Sequence, residues 1–443
     1  MKRIILLLVV LLLSGCNLAD QQPATKDTPK LLEEVRAIVK KTSIYDVSDK
    51  DLTIGAVKGM VEAQKDPYSH FFSKEETILQ KHRLAKERIG LGMKITQQGN
   101  RFIITELVPG TSAADQLAVG DEILAVNGQS VTQISTEELI QLLAGKEGTD
   151  VALKVFSKQQ QVIQEVHVRR MKIPQTTLTH YFLNDQDNKY LYVRISVFGE
   201  STTDEWQKLW KGIQISDVQG VILDVRDNPG GYLGSVVPIA ETFVPQETPL
   251  LWMENAKGEL HVIQGQNEQP IAAPVVVLQN KMSASASEVL LASLLETDRA
   301  ISIGTTTFGK GTVQETFDFD NGSSLKVSTN RWLTPRKTWI HGKGIEPTIE
   351  IQYPEPEELQ LPENEEQWLK VKEAFSKLSS DSVTDKNLNQ TILAFQRKHH
   401  LPMNGSLDAP TLLELKVRYR EWLSKPEHDE AIQLALDYFQ HNN

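Results

Sequence analysis

Only one of the 443 residues is a cysteine, Cys16, so the chain cannot close a disulfide within itself. Positive charge is scarce as well. Lys and Arg number 47 against 58 Asp and Glu, a net charge of −11, which argues against nucleic acid as a partner. Long hydrophobic runs are missing too: Ile4–Leu13 is an apolar run of ten residues, too short to cross a bilayer as a stable helix. A metal site is not expected. His399 and His400 are adjacent, so on a helix they point apart, and no cysteine or further histidine lies nearby. The remaining composition is ordinary for a globular protein, with 40% apolar and 24% charged residues. The length suggests about three domains and an ample core.

What is present is a pair of segments suited to nucleophilic chemistry. Ala273–Gln279 is a short β-branched run and reads as a buried strand. From Ala286 onward Val289, Leu290, Ala292, Leu294 and Leu295 recur with helical spacing. Ser283, Ser285 and Ser287 therefore sit at a strand-to-helix corner. A serine there can expose its hydroxyl, and the free N–H groups of the helix start can receive a developing oxyanion. The same residues would also serve as plain helix caps.

The second segment is Thr307-Phe308-Gly309-Lys310-Gly311-Thr312-Val313-Gln314. A lysine that works as a base must be neutral. From an ordinary pKa near 10.4 that costs roughly 4–5 kcal/mol at pH 7. Burial can supply the shift, with Phe308 and Val313 as apolar neighbours and two glycines allowing close backbone approach. Gln314 shares a face with Lys310 whether the segment is extended or helical, so its carbonyl could orient the amine. A third segment, Val221–Arg226 followed by Asp227-Asn228-Pro229-Gly230-Gly231, reads as a strand and a glycine turn whose N–H groups can face an oxyanion.

In this order the three segments resemble the motifs of the carboxy-terminal processing peptidases, also called tail-specific proteases. The resemblance implies a serine endopeptidase with Ser285 as nucleophile, Lys310 as general base and Gln314 positioning the lysine. Ala286 with Gly230 or Gly231 would form the oxyanion hole. It selects Ser285 among the three serines, which the local pattern alone leaves open. No cofactor or metal is implied.

Residues 86–172 resemble a PDZ domain. Ile89, Gly90, Leu91 and Gly92 stand where that domain holds a peptide carboxylate, and Val119–Gly128 and Gly148–Val151 match later landmarks. The implied partners are protein or peptide substrates with free C-termini. Two departures stand out: Gln116 where a small residue is usual, and Ala144 where a basic residue is frequent. The stretch from Gly59 to Tyr68 resembles a segment that in this family helps form a homodimer.

At the N-terminus, Leu13-Ser14-Gly15-Cys16 resembles a bacterial lipoprotein signal box. It implies cleavage before Cys16, a diacylglycerol on its sulfur, and an extracytoplasmic lipoprotein anchored to the membrane of the cell envelope. Residues 17–30 read as a tether, and 31–85 as a helical region. The expected fold is multidomain α/β: the helical N-terminal segment, a β-rich PDZ domain with helices, and an α/β protease core at 173–352. An acidic, proline-rich linker follows at 353–366. Residues 367–425 form a small all-α domain resembling half of a peptidoglycan-binding domain, with Gly405 and Asp408 shaping the loop between its helices. Residues 426–443 form an amphipathic helix with no assigned role. Removing 367–443 is expected to leave peptidase activity intact. The rival reading is a non-catalytic, cell-wall-anchored PDZ scaffold, which would have no physical reason to keep a desolvated lysine beside a serine.

Overall fold

The computed structural model describes residues 28–442 apart from 85–86, 186–187 and 380–381. The signal segment, Cys16 and nearly all of the tether lie outside the described residues. No helix among the described residues is long and apolar enough to cross a membrane.

The core is a six-stranded sheet. Its strands run in the order Leu178–Asp185, Asn188–Ile195, Gly220–Asp224, Val275–Gln279, Ala300–Gly304 and Ile349–Glu350. The first pair is antiparallel and the rest are parallel. Parallel strands are stable when both faces are covered, and the alternation of the sequence shows how. Val221, Leu223, Val275 and Val277 face one side, under the helices Thr202–Gly212, Leu233–Glu241 and Ala286–Leu295. Ile222, Val276 and Leu278 face the other, where they meet Ala431, Ile432, Ala435 and Phe439.

Those last four residues belong to the terminal helix, Glu430–Asn442. Its apolar stripe is the missing cover of the sheet's second face. Phe439 stacks on Tyr190 with ring centroids 5.1 Å apart. A Cβ on Gly220 would lie 2.9 Å from the Phe439 ring, so only glycine fits beneath it. An ion-pair network fastens the start of this helix. Arg226 pairs with buried Asp224 and with Asp429, at 2.5 and 2.7 Å, and the Tyr192 hydroxyl donates to Asp224 at 2.6 Å. Burial alone would raise the Asp224 carboxyl, but the Arg226 guanidinium holds it below its usual value. The expectation that 367–443 can be removed without loss is therefore corrected: the last helix is part of the core.

A second, five-stranded sheet lies beside the first. It joins His70–Phe72, Ser324–Leu333, Pro249–Asn255 and Leu260–Gln264, with Thr312–Asp318 also paired to Ser324–Leu333. Residues 70–72, expected within a helical region, are extended and pair with 324–326. The helices Thr28–Thr42 and Asp49–Glu62 precede them, the second capped by Ser48, whose side chain accepts from the Asp51 N–H.

The PDZ-like sheet has its own core around Phe102, Ile104, Val126, Leu139 and Val155. It is tied to the rest through a two-stranded neck, Glu87–Gly90 with Met171–Pro174. Leu91 is buried, and a Cβ on Gly92 (φ +81°) would strike Thr111 at 2.3 Å. Neither residue's N–H donates to another group among the described residues. The two departures have physical counterparts. The Gln116 amide ties its helix to the His167 carbonyl at 2.9 Å. The guanidinium of Arg170 stands beside the Ala144 position, donating to the Leu143 carbonyl at 2.9 Å. The small helical unit packs Glu365–Leu378, Leu388–Lys398 and Ala409–Leu423 around Phe375, Phe395 and Leu415. Asp408 caps its last helix, accepting from Thr411 N–H at 2.9 Å, and Asn404 donates to Asp408 at 2.8 Å.

Candidate active site

The catalytic candidates lie at the carboxyl ends of the parallel strands. Strand Val275–Gln279 leads through a tight turn into the helix Ala286–Leu295, and Ser285 stands at that corner with φ 56° and ψ −114°. A non-glycine residue rarely adopts such a backbone. It costs on the order of 1–3 kcal/mol and is characteristic of a nucleophile lifted above the end of a sheet.

The three serines separate by their partners. Ser283 is fully buried and donates to the Val225 carbonyl at 2.8 Å. Ser287 is fully buried and donates to the Asn228 carbonyl at 2.9 Å. Both fasten the serine corner to the glycine turn. Ser285 alone of the three is partly exposed.

The glycine turn presses against Ser285. A Cβ on Gly230 (φ +99°) would lie 2.8 Å from Ser285 Cβ and 2.9 Å from the Ala286 nitrogen. A Cβ on Gly231 (φ +145°) would overlap the Phe198 carbonyl. Buried Asn228 shapes the turn: its amide nitrogen donates to the Ile195 carbonyl, and its amide oxygen accepts from Gly230 N–H, both at 2.8 Å. Gly230 N–H is therefore occupied. The N–H groups of Gly231 and Ala286 donate to no other group among the described residues.

The lysine loop follows the strand Ala300–Gly304. Gly309 has φ +87°, and a side chain there would meet the backbone of residues 342–344 within about 3 Å. Two indoles pin the loop: Trp332 donates to the Lys310 carbonyl at 2.8 Å and Trp339 to the Gly311 carbonyl at 2.9 Å. Lys310 itself is half-buried, and its Nζ lies 4.7 Å from the centre of the Tyr68 ring. Burial lowers its pKa to about 8, with the Lys326 charge adding to the effect and Asp66 and Glu288 opposing it. Phe308, expected to shield the amine, is half exposed, and the aromatic cover comes from Tyr68.

No hydrogen bond joins Lys310 Nζ to Ser285 or to Gln314 among the described residues. Gln314 lies on the strand Thr312–Asp318 and its amide nitrogen donates to Thr312 Oγ1 and Ser328 Oγ at 2.9 and 3.1 Å. The serine and lysine segments are joined through a different residue, Glu288. Its fully buried carboxylate accepts four hydrogen bonds: Ser285 N–H at 2.7 Å, Lys310 N–H at 2.8 Å, Gly309 N–H at 2.6 Å and Thr307 Oγ1–H at 2.6 Å. The sequence motifs contain Glu288, and Tyr68 ends the segment that starts at Gly59, but neither residue is given a role in the site by them. Glu288 had one available signal, an acidic residue three positions after a helix-capping serine. Tyr68 had none, because it arrives from the turn before the N-terminal strand His70–Phe72, far away in sequence. Among the described residues no cluster of three or more potential metal ligands occurs.

The comparisons with known proteins agree with this architecture. Residues 189–351 match peptidase family S41, residues 79–156 match the PDZ domain, and residues 16–77 match the activating protease CtpB N-terminal domain. A "Probable CtpA-like serine protease" of Staphylococcus aureus (strain COL) is 30% identical over 445 residues, covering 96% of this chain and 86% of the relative. Carboxy-terminal processing protease CtpB of Bacillus subtilis (strain 168) is 29% identical over 420 residues, covering 91% and 88%. The solved photosystem II D1 C-terminal processing protease has a TM-score of 0.45 at 24% identity, covering 78% of this chain and 97% of that one.

Proposed function

Starting from a chain that belongs to the carboxy-terminal processing proteases of peptidase family S41, we propose that its catalytic pair is Ser285 and Lys310. The protein is a peptidase with a PDZ domain and acts on peptide or protein substrates. In the proposed mechanism neutral Lys310 removes the Ser285 proton as Oγ attacks the scissile carbonyl. The N–H groups of Ala286 and Gly231 receive the oxyanion. Lys310 then returns the proton to the leaving amine, and water releases the acyl group by the same route. Gln314, whose amide nitrogen donates to Thr312 and Ser328, is proposed to position the Lys310 amine through its carbonyl oxygen.

The observation that carries this reading is a lysine whose pKa falls to about 8, anchored to the same carboxylate as a strained, accessible serine. The pH dependence tests it. Lys310 works as a base only when neutral, so kcat/KM should rise about tenfold per pH unit up to about pH 8 and level off above it. A profile flat from pH 6 to 9 would rule Lys310 out as the base.

The PDZ domain is proposed to hold the substrate's free C-terminal carboxylate on the N–H groups around Gly90, Leu91 and Gly92. Binding is best read on full-length Ser285→Ala, which spares the ligand. An amidated apolar peptide should bind about tenfold or more weakly than the free acid, since a hydrogen bond to a charged group contributes about 1.5–3 kcal/mol. Equal affinities would remove the carboxylate from the account.

Placement is proposed from the sequence. Lipid on Cys16 would anchor the enzyme outside the cytoplasm, and the three-helix unit would add weak affinity for peptidoglycan. Two copies would pair through the N-terminal region around Gly59–Tyr68, and the helix Thr28–Thr42 before it leaves an apolar stripe of Leu31, Val35 and Ile38 exposed. Membrane fractionation of Cys16→Ser, co-sedimentation of the full chain with isolated peptidoglycan, and analytical ultracentrifugation test these three points. They fail, respectively, if the variant stays in the membrane, the chain stays in the supernatant, or a monomer persists at high concentration.

A further inference from the structure

We propose that Glu288 is the positioning residue of the active site, setting the serine corner and the lysine loop in register with each other. This rests on the Ser285–Lys310 reading and adds a residue to which no role has been given.

The geometry argues for more than a helix cap. Oε2 accepts both Ser285 N–H, at 2.7 Å, and Lys310 N–H, at 2.8 Å, so one oxygen atom bridges the backbones of the proposed nucleophile and base. Oε1 accepts Gly309 N–H and Thr307 Oγ1–H, both at 2.6 Å. Thr307 in turn accepts from Ile345 N–H at 2.8 Å, which extends the tie to the loop behind. A fully buried carboxylate is costly unless its lone pairs are filled by charge-assisted bonds, and here two backbone segments and a hydroxyl fill them. The bond to Ser285 N–H also holds that residue in its strained backbone state, which no glycine relieves.

The second consequence is electrostatic. The charged and titratable groups around Lys310 come from every element packed on it: Glu288 from the serine helix, Asp66 and Tyr68 from the N-terminal turn, and Lys326 from the neighbouring strand. His341, whose ring lies against Tyr68, comes from the loop behind. Glu288 and Asp66 favour the ammonium, whereas burial and Lys326 oppose it. Glu288 thus fixes where the lysine loop sits and limits how far its amine is deprotonated.

A pair of variants separates these effects. Glu288→Asp keeps the charge and shortens the reach. Glu288→Gln keeps the reach, removes the charge, and sets an NH2 group against N–H or O–H donors. Both should lower kcat on the order of tenfold to a hundredfold per folded molecule, the scale of an ångström's misplacement, with KM little changed. The acid limb of kcat/KM should stay near its wild-type pH in Glu288→Asp and move to lower pH in Glu288→Gln. Removing a negative charge makes the ammonium easier to deprotonate, so the limb moves down and not up. Circular dichroism establishes the folded fraction. If either variant folds and retains wild-type kcat with an unmoved limb, or if the two lose only stability, the proposal is overturned. Ser285→Ala and Lys310→Ala decide the underlying reading separately: if those lose activity and the Glu288 pair does not, only the positioning role falls.

Discussion

Ser285→Ala is expected to lower kcat on the order of 10⁴-fold or more, and Lys310→Ala on the order of 10²–10⁴-fold, with the fold intact in both. The first removes the only atom proposed to bond covalently to substrate. The second removes the proposed proton acceptor but leaves the N–H groups of Ala286 and Gly231, the proposed oxyanion donors, in place. The two losses should not add, because a base without a nucleophile has nothing to activate. Ser283→Ala and Ser287→Ala are the informative controls. Their hydroxyls are buried donors to the Val225 and Asn228 carbonyls. Each substitution should cost about 1–3 kcal/mol of stability and leave most of kcat. Steady-state kinetics on an unstructured peptide, paired with thermal melts, read both effects. Wild-type turnover in Ser285→Ala would end the assignment.

The second large effect concerns the end of the chain. Deleting residues 429–443 should leave little soluble, active protein, although the deletion lies far from Ser285 in sequence. It uncovers Tyr190, Ile222, Val276 and Leu278 on the sheet and takes away one of the two carboxylates that Arg226 serves. Arg226 lies on the segment that leads into Asn228 and the glycine turn, so the oxyanion side of the site would feel the loss. A milder probe is Phe439→Ala, which removes a fully buried ring stacked on Tyr190 and should cost about 3–5 kcal/mol. Chemical denaturation of that variant, followed by tryptophan fluorescence, measures the cost. An unchanged midpoint would mean that the terminal helix does not belong to the core.

These two cases mark how far the sequence could be read. The parallel strands were legible because Val275–Leu278 and Val221–Leu223 are short, unbroken apolar runs, as strands buried on both faces tend to be. The amphipathic stripe of the terminal helix was legible as a stripe. Its destination was not, because a stripe says that something is covered and not what. His70–Phe72 looked like the end of a helical region, since three residues have too little pattern to overrule their neighbours. Pairing with Leu325 and Lys326, some 250 positions away, decides their conformation.

The active site divides in the same way. Which serine is accessible depends on hydrogen bonds from Ser283 and Ser287 to carbonyls nearly 60 residues earlier in the chain. No local pattern encodes that register, and the choice of Ser285 in the sequence came from family resemblance. Nor does the sequence reveal that the Asn228 amide occupies the Gly230 N–H and leaves that of Gly231 available as a donor. The lysine's low pKa was anticipated from burial, but its shield was misplaced: Phe308 faces outward and Tyr68 covers the amine.

Trapping the acyl-enzyme tests the pairing of Ser285 with Lys310 most directly. A chromogenic peptide ester is turned over above pH 8, quenched in acid within the first turnovers, and the digested protein is mapped by mass spectrometry. The substrate's acyl group is expected on Ser285 of the wild type, with no detectable adduct over the same interval in Lys310→Ala. An acyl group on Ser283 or Ser287, or an equal yield on Ser285 without Lys310, would contradict that pairing.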